Sequence, residues 1–359
     1  MRKHIVIIGN PIAGGNAVGK IEKAAAIMRS KGIDVKLLLT AGKGDAEAFA
    51  KEIASAPPLP TGELLVVAAG GDGTYNEVAN GLVHSDTPMA ILPLGTTSVL
   101  AKELNLPHDI GKAVHVALEG KTETIHLGKI TLKDSNTKNS DKLRVTSNKL
   151  KTKDSKNSSL VTRYSLLSSD LSPSSDPLLV TRHSLLVTDQ VTRYFLLMAG
   201  AGFDGEVTFG ISEKIKRYTG KGAYIFSGIR TFIRYAPPLI TLRYRESPGG
   251  PMKRVEGYAA IIGKATCYGG AFKATPDTSL KKPYFHVFLT CRRGRFDLLR
   301  YVAGVVRGCH LSYPDTANFR ATEIEVDGDV HIQIDGDYAG TAPARIEVVR
   351  NALQLVTGI

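Results

Sequence analysis

The chain has 359 residues, 43% hydrophobic and 22% charged, which fits an ordinary globular protein of about two domains. Three cysteines without a CxxC pair exclude a disulfide scaffold and point to a reducing compartment; no apolar run reaches the ~18 residues of a membrane-spanning helix, and the one after Met1-Arg2-Lys3 stops at Gly9-Asn10-Pro11, too soon for a secretory leader. The formal charge of +12 invites nucleic acid or an anionic membrane, but residues 131–193 alone hold eleven Lys/Arg against six Asp, so much of the excess is local.

Strand and helix alternate through the first third. Residues 4–9 read as a buried strand, 18–31 as a helix with Ile21, Ala24, Ala25 and Met28 on one face, and 33–39 as a second strand. Residues 45–55 read as a helix with Asp45 as its cap, 64–69 as a strand, 75–83 as a helix, 89–92 as a strand and 98–104 as a helix. That order predicts an α/β domain with a parallel sheet and helices on both faces. Residues 131–193 break the rhythm. They are rich in Ser, Thr, Lys and Asn and repeat a VTRxxLL heptad from Val161, Val180 and Val191 at irregular intervals, which predicts a disordered or loosely ordered low-complexity insertion, the alternative being a hairpin hidden by its composition. Beyond it, strands are expected at 194–199, 238–245, 256–263, 284–290, 322–327, 330–335 and 345–350, with helices near 211–234 and 295–307. This predicts a second, mainly β domain built as a sandwich. The expected domains are 1–130, 131–193 and 194–340, with residues 340–359 returning to the first.

The strongest local signal is Gly70-Gly71-Asp72-Gly73-Thr74 between a strand and a helix. Glycines there let the backbone approach a ligand, and the N–H groups of the following helix favour an anion, so phosphate is the natural guest. Asp72 repels phosphate; it suits a ribose hydroxyl, Mg²⁺ or a reacting hydroxyl better. The loop is neither a Walker A sequence nor GxGxxG. Two further loops, Asn10 to Gly15 and Leu94 to Ser98, follow strands of the same sheet and should meet at its edge. In the second half, Gly200-Ala201-Gly202-Phe203-Asp204 and Asp335-Gly336-Asp337 also follow strands. The latter suits a metal, a general base or simply a hairpin turn.

In order and spacing these motifs resemble the diacylglycerol kinase catalytic-domain family of soluble bacterial lipid kinases, related to diacylglycerol and sphingosine kinases. Asn10-Pro11-x-Ala13-Gly14, Gly70 to Thr74 running into Asn76-Glu77-Val78-Ala79-Asn80-Gly81, Leu92-Pro93-Leu94-Gly95-Thr96, Gly200-x-Gly202-Phe203-Asp204, Tyr268-Gly269-Gly270, Pro276-Asp277 and Asp335-Gly336-Asp337 carry the likeness. The resemblance implies an N-terminal domain similar to phosphofructokinase and NAD kinase, a β-sandwich C-terminal domain, and transfer of the γ-phosphate of ATP to a lipid hydroxyl in the cleft between them. It implies ATP over Asn10, Thr40, Gly70, Gly71, Asp72, Gly73, Thr74, Glu77, Gly95 and Thr96, with Asp335 as general base. Asp72 and Asp337 would help to hold the catalytic Mg²⁺. It further implies a cytoplasmic protein peripherally attached to the inner face of the membrane; a homodimer is a further expectation, and no specific nucleic-acid partner is expected. The alternatives are an NAD kinase-like or other GGDGT kinase, or an inactive relative that only binds lipid or nucleotide. Ser98 stands where that family commonly has Asn, and Leu280-Lys281-Lys282-Pro283 replaces an acidic stretch, so the structural metal that some members bind near there is not carried over to this chain, and its presence stays open. The basic, partly apolar stretch Lys214–Arg234 reads either as a surface for anionic lipid headgroups or as an amphipathic helix packed on the sandwich, and Arg292, Arg293, Arg295 and Arg300 read as a solvated basic face.

Overall fold

A computed structural model describes residues 2–57, 63–95, 98–133, 190–210, 236–270 and 272–358. One compact unit comprises Met1–Lys133 and Val191–Ile359. Almost all of the predicted insertion, the helix expected near 211–234 and Thr96 lie outside the described residues.

The N-terminal lobe is an α/β layer structure. Strands β1 (His4–Gly9), β2 (Asp34–Leu39), β3 (Leu64–Gly70) and β4 (Met89–Pro93) are parallel in the order β2-β1-β3-β4. Helices α1 (Ala17–Ser30), α2 (Asp45–Ser55), α3 (Asp72–Leu82), α4 (Val99–Glu103) and α5 (Ile110–Glu119) complete it. The two-residue period of β1 sends Ile5 and Ile7 into the core beneath α1 and α5, while Ile8 joins the core beneath α2 and α3. The apolar spacing of Ile110, Ala113, Val114 and Ala117, opened by an Asp109 cap, makes α5 a helix that the chain-order reading passed over.

The second lobe is a β-sandwich. β14 (Thr316–Ala321), β13 (Phe285–Thr290), β10 (Ala259–Gly263), β7 (Met198–Ala201), β16 (His331–Ile334) and β17 (Asp337–Thr341) form one sheet in that order. The facing layer contains β15 (Glu323–Asp327), β8 (Ile240–Arg245) and β9 (Lys253–Gly257). Phe195, Ile262, Val287, Ile324 and Ile346 are among the side chains between the layers. Strand β18 (Ala344–Val356) joins the lobes: its first half pairs with β15, and its end reaches β4 through Leu355 and Met89. β5 (Thr122–Lys133) runs antiparallel to β18 and also pairs with β6 (Gln190–Phe195), so the chain leaves and re-enters the fold on neighbouring strands. β5 and β6 thus extend into the segment assigned to the insertion.

Two expected strands are each divided. The 256–263 run breaks at Tyr258, whose N–H turns to the Thr290 carbonyl. The 194–199 run breaks at Leu196-Leu197, for a reason found in the site below. Helix α6 (Phe203–Phe209), the hairpin β11 (Cys267–Tyr268) and β12 (Phe272–Lys273), and helix α7 (Arg295–Arg307) complete the lobe. Lys264 is fully buried. Its ammonium donates to the Ser279 and Lys282 carbonyls at 2.7 and 2.8 Å and so holds the 279–282 turn; burial pushes its pKa down to about 7. Among the described residues no helix is long and apolar enough to cross a membrane.

Candidate active site

The register of the parallel strands places three predicted loops at one sheet edge. Gly9 lies opposite Leu39 and Ala69, and Gly70 lies opposite Pro93, so the chain leaves β1, β3 and β4 at the same level. Asn10 closes a short turn by accepting from the Ile12 N–H. Thr40, just past β2, donates its N–H to the Gly9 carbonyl at 2.9 Å. Gly14 has φ of 78° and lies so close to Leu94 and Gly95 that an added Cβ would stand 3.0 Å from the Leu94 carbonyl oxygen. Lys20 bonds that same oxygen at 3.0 Å, fixing the first loop to the third.

The GGDGT residues divide into two kinds. Gly70 is buried against Thr74, itself buried, so both are packing residues. A Cβ on Gly71, Gly73 or Gly95 would meet nothing within 4 Å. Helix α3 begins at Asp72, three residues before its expected start, and brings its N-terminal N–H groups to this open space. Glu77 is half-buried farther along α3.

Asp72 turns away from the role expected of it. Its carboxylate accepts from the Val99 and Leu100 N–H groups at 2.9 and 3.0 Å and from the Ser98 hydroxyl at 3.4 Å. It caps α4 and ties Ser98, Val99 and Leu100 to α3, and Ser98 adds its own cap by accepting from Ala101. Burial raises the Asp72 pKa, while these donors pull it down.

The sandwich supplies the other wall. A cavity of about 220 Å³ is lined by Lys43, Gly73 and Asn76 from the first lobe and by Arg193, Asp335 and Asp337, among others. Asp335 explains the break at Leu196-Leu197: its Oδ1 accepts from the Leu197 and Met198 N–H groups at 2.8 and 3.0 Å. Its Oδ2 accepts from the Leu196 N–H at 2.7 Å and from Asn76 Nδ2 at 2.8 Å. Three consecutive amides that would have continued the strand instead surround one carboxylate. Burial pushes the Asp335 pKa up to about 6 against the pull of those donors.

A second buried carboxylate supports this turn. Asp204 accepts from the Tyr268 hydroxyl at 2.6 Å and from Gln333 Nε2 at 2.5 Å. Gln333 Oε1 then accepts the Gly336 N–H at 2.7 Å. Burial raises the Asp204 pKa. The network holds the Asp335-Gly336-Asp337 turn, in which Asp335 has φ of 48° and Gly336 φ of 85°.

Asp337 faces Lys43, with Nζ 3.1 Å from its carboxylate. Lys43 stands on a loop fixed by Asp45, which accepts from the Ala41 and Gly42 N–H groups; Asp45 is thus the first residue of α2, and Gly44 is its cap. Arg193 pairs with Glu47 of α2 at 2.8 Å. Motif reading missed Lys43 and Arg193 as cavity cations, and it quoted Asn76 without giving it a site role. The position of Lys43 just past β2, on the edge that carries the loops, is a signal that could have found it.

The expected Mg²⁺ does not fit these carboxylates as they stand. Asp72 caps a helix, Asp335 is surrounded by donors and Asp337 faces a lysine. Among the described residues no three His, Cys, Asp or Glu side chains are grouped to hold a metal ion.

The sequence matches the diacylglycerol kinase catalytic domain over residues 4–130 and the YegS C-terminal NAD kinase beta sandwich-like domain over residues 198–357. Over both lobes the chain is similar to the diacylglycerol kinase catalytic-domain family. A curated relative, the diacylglycerol kinase of Staphylococcus carnosus (strain TM300), is 24% identical over 99% of this chain and 96% of its own. The diacylglycerol kinase of Bacillus subtilis (strain 168) is also 24% identical, over 95% of this chain and 92% of its own. A crystal structure from Bacillus anthracis str. Sterne, of a protein provisionally called a diacylglycerol kinase, shares the fold with a TM-score of 0.64 at 19% identity. It covers 99% of this chain and 95% of that one. The family architecture accounts for an α/β lobe followed by a mainly β sandwich.

Proposed function

We propose that this protein is an ATP-dependent lipid kinase that transfers the γ-phosphate to the hydroxyl of a diacylglycerol-like lipid. The observation that carries the reading is the meeting, around one cavity, of an open glycine edge with the enclosed carboxylate of Asp335. The full-length likeness to proteins named diacylglycerol kinase supports the choice of acceptor.

ATP would lie along Asn10, Thr40, Gly71, Gly73 and Gly95, where the backbone leaves room and α3 offers N–H groups. The lipid hydroxyl would enter beside Asp335 and displace the Asn76 amide from Oδ2. As its oxygen bonds the γ-phosphorus, the bond from that phosphorus to the bridging oxygen breaks, ADP leaves, and the proton passes to Asp335. A carboxyl with a pKa near 6 is ionised at neutral pH yet basic enough to accept it. Lys43 and Arg193 line the cavity, paired with Asp337 and Glu47, and would turn to the phosphates as the nucleotide enters. Magnesium would enter with the nucleotide and offset the charge of its phosphates. Peripheral attachment to a membrane follows from an acceptor that resides in one.

The test is transfer of label from [γ-³²P]ATP to a panel of lipids in mixed micelles, with NAD as a competing acceptor. Label in diacylglycerol or a related lipid supports the reading; label in NAD alone replaces it with an NAD kinase. Nucleotide binding without label in any acceptor makes the chain an inactive relative.

A further inference from the structure

We infer that α7 (Arg295–Arg307) is the element by which this protein docks onto an anionic lipid bilayer. The helix has two apolar faces. Leu298, Tyr301 and Gly304 are buried, and the backbone at Gly304 lies so close to Tyr313 that a Cβ would stand 2.8 Å from its ring. The opposite face is open: Phe296 is 84% exposed, Leu299 49%, Val302 49% and Val306 55%. At 100° per residue these four span an arc of about 120°, which also takes in Ala303 and the helix's first residue, Arg295. A helix that is apolar on both faces belongs in an interior or against an apolar phase.

Charge decides which phase. Exposed Arg293 precedes the helix, and exposed Arg307 ends it at one edge of the open arc. Exposed Phe272 and Lys273 of β12, the strand packed beside α7, extend the surface with the same pairing of apolar and basic groups. Arg300 and Arg292 are engaged instead with Asp315. Apolar side chains flanked by Arg293, Arg307 and Lys273, which have no ion pair among the described residues, match an interface with hydrocarbon below and phosphates around it. A two-fold contact with a second copy would set Arg293 and Arg307 against like charges, and among the described residues the helix carries one carboxylate, Asp297, which already faces Arg292 and Arg300.

The face is connected to the cavity. The β11–β12 hairpin that carries Phe272 also carries Tyr268, whose hydroxyl bonds Asp204 in the network behind the Asp335 turn. Docking through α7 would therefore set the bilayer beside the lobe that holds the proposed base. This role for the face rests on the lipid-kinase reading for its purpose, but not for its physics.

The test is sedimentation of the full chain with vesicles of phosphatidylcholine, with and without phosphatidylglycerol, in the absence of nucleotide. The wild type should bind only the anionic vesicles and be released by salt. Phe296→Asp with Leu299→Asp should lower the bound fraction about tenfold or more. Arg293→Glu with Arg307→Glu should lower it about fivefold or more per charge. Both variants should keep the wild-type melting temperature and the wild-type rate on a short-chain, water-soluble diacylglycerol. Wild-type binding by the Phe296 variant overturns the inference, as does a wild type that ignores anionic vesicles. So does a wild-type dimer that becomes monomeric on Phe296→Asp with vesicle binding unchanged. If the chain binds vesicles through α7 but labels no lipid, the docking surface stands and the proposed activity falls. Label on the soluble lipid without vesicle binding gives the reverse.

Discussion

The two walls of the cavity are built on opposite plans. The edge of the α/β lobe is made of backbone: Gly71, Gly73 and Gly95 face open space, and the N-terminus of α3 points there. The turn of the sandwich is made of side chains that use their polar groups on one another and on nearby amides, from Tyr268 through Asp204 and Gln333 to the Gly336 N–H, with Asp335 holding three amides of the broken strand. One wall waits for a ligand, and the other is already satisfied without one. Substitutions should therefore separate binding from stability on the first wall and affect both together on the second.

The largest effect is expected at Asp335→Ala. Three amides and the Asn76 side chain lose an acceptor, at about 1–3 kcal/mol for each group left unsatisfied, so the protein should be destabilised by about 3 kcal/mol or more. Thermal unfolding followed with the transfer assay should show the melting temperature falling by several degrees and transfer lost. A variant that melts like the wild type would break the comparison.

Gly73→Val should do the opposite. The position is exposed and has no neighbour within 4 Å, so the fold has no steric objection. Nucleotide affinity, read by titration calorimetry, should fall about tenfold or more because the side chain fills the approach, while the melting temperature stays within about two degrees. Parallel losses of affinity and stability would mean that this wall, too, is held by packing.

Lys43→Met sharpens the contrast at the seam. Its ion pair with Asp337 is half-exposed and worth at most about 1 kcal/mol, so melting should barely move. Transfer should drop about tenfold if the lysine handles phosphate. Unchanged kinetics would reduce it to a surface charge.

Acidity offers a smaller test of the same carboxylate. Transfer should decline as pH falls through about 6, where Asp335 gains its proton. Stability has the opposite sign: because the native pKa is raised, the contribution of this group is fully present below the ordinary carboxylate value and is lost as pH rises through about 6. The melting difference between wild type and Asp335→Ala should therefore narrow from pH 4 to pH 7. The smallest effect is expected from replacing 134–189 with a two-residue turn. β5 and β6 are neighbours, so both lobes should fold with melting within a few degrees of the wild type.

Much of the first wall was legible because a backbone-built site leaves its mark in composition. The alternation of strand and helix placed the loops after Gly9, Gly70 and Pro93 at one edge, and glycine marked the open positions. The motif still misled about its parts: Gly70 and Thr74 pack against each other, and Asp72 caps α4. The second wall could not be read in this way. Nothing local in Leu196-Leu197 announces a strand break, because its cause is a carboxylate 138 residues away from Leu197. Lys264 gives no sign in sequence that it will be buried, since its partners are carbonyls, which every residue has.

Transfer from labelled ATP to diacylglycerol in mixed micelles, measured across pH 5–8, bears most directly on the central claim. Label in the lipid, with a rate that rises through an apparent pKa near 6, is the predicted result. Label passing only to NAD, or none reaching any lipid from a folded protein that binds ATP, would contradict it.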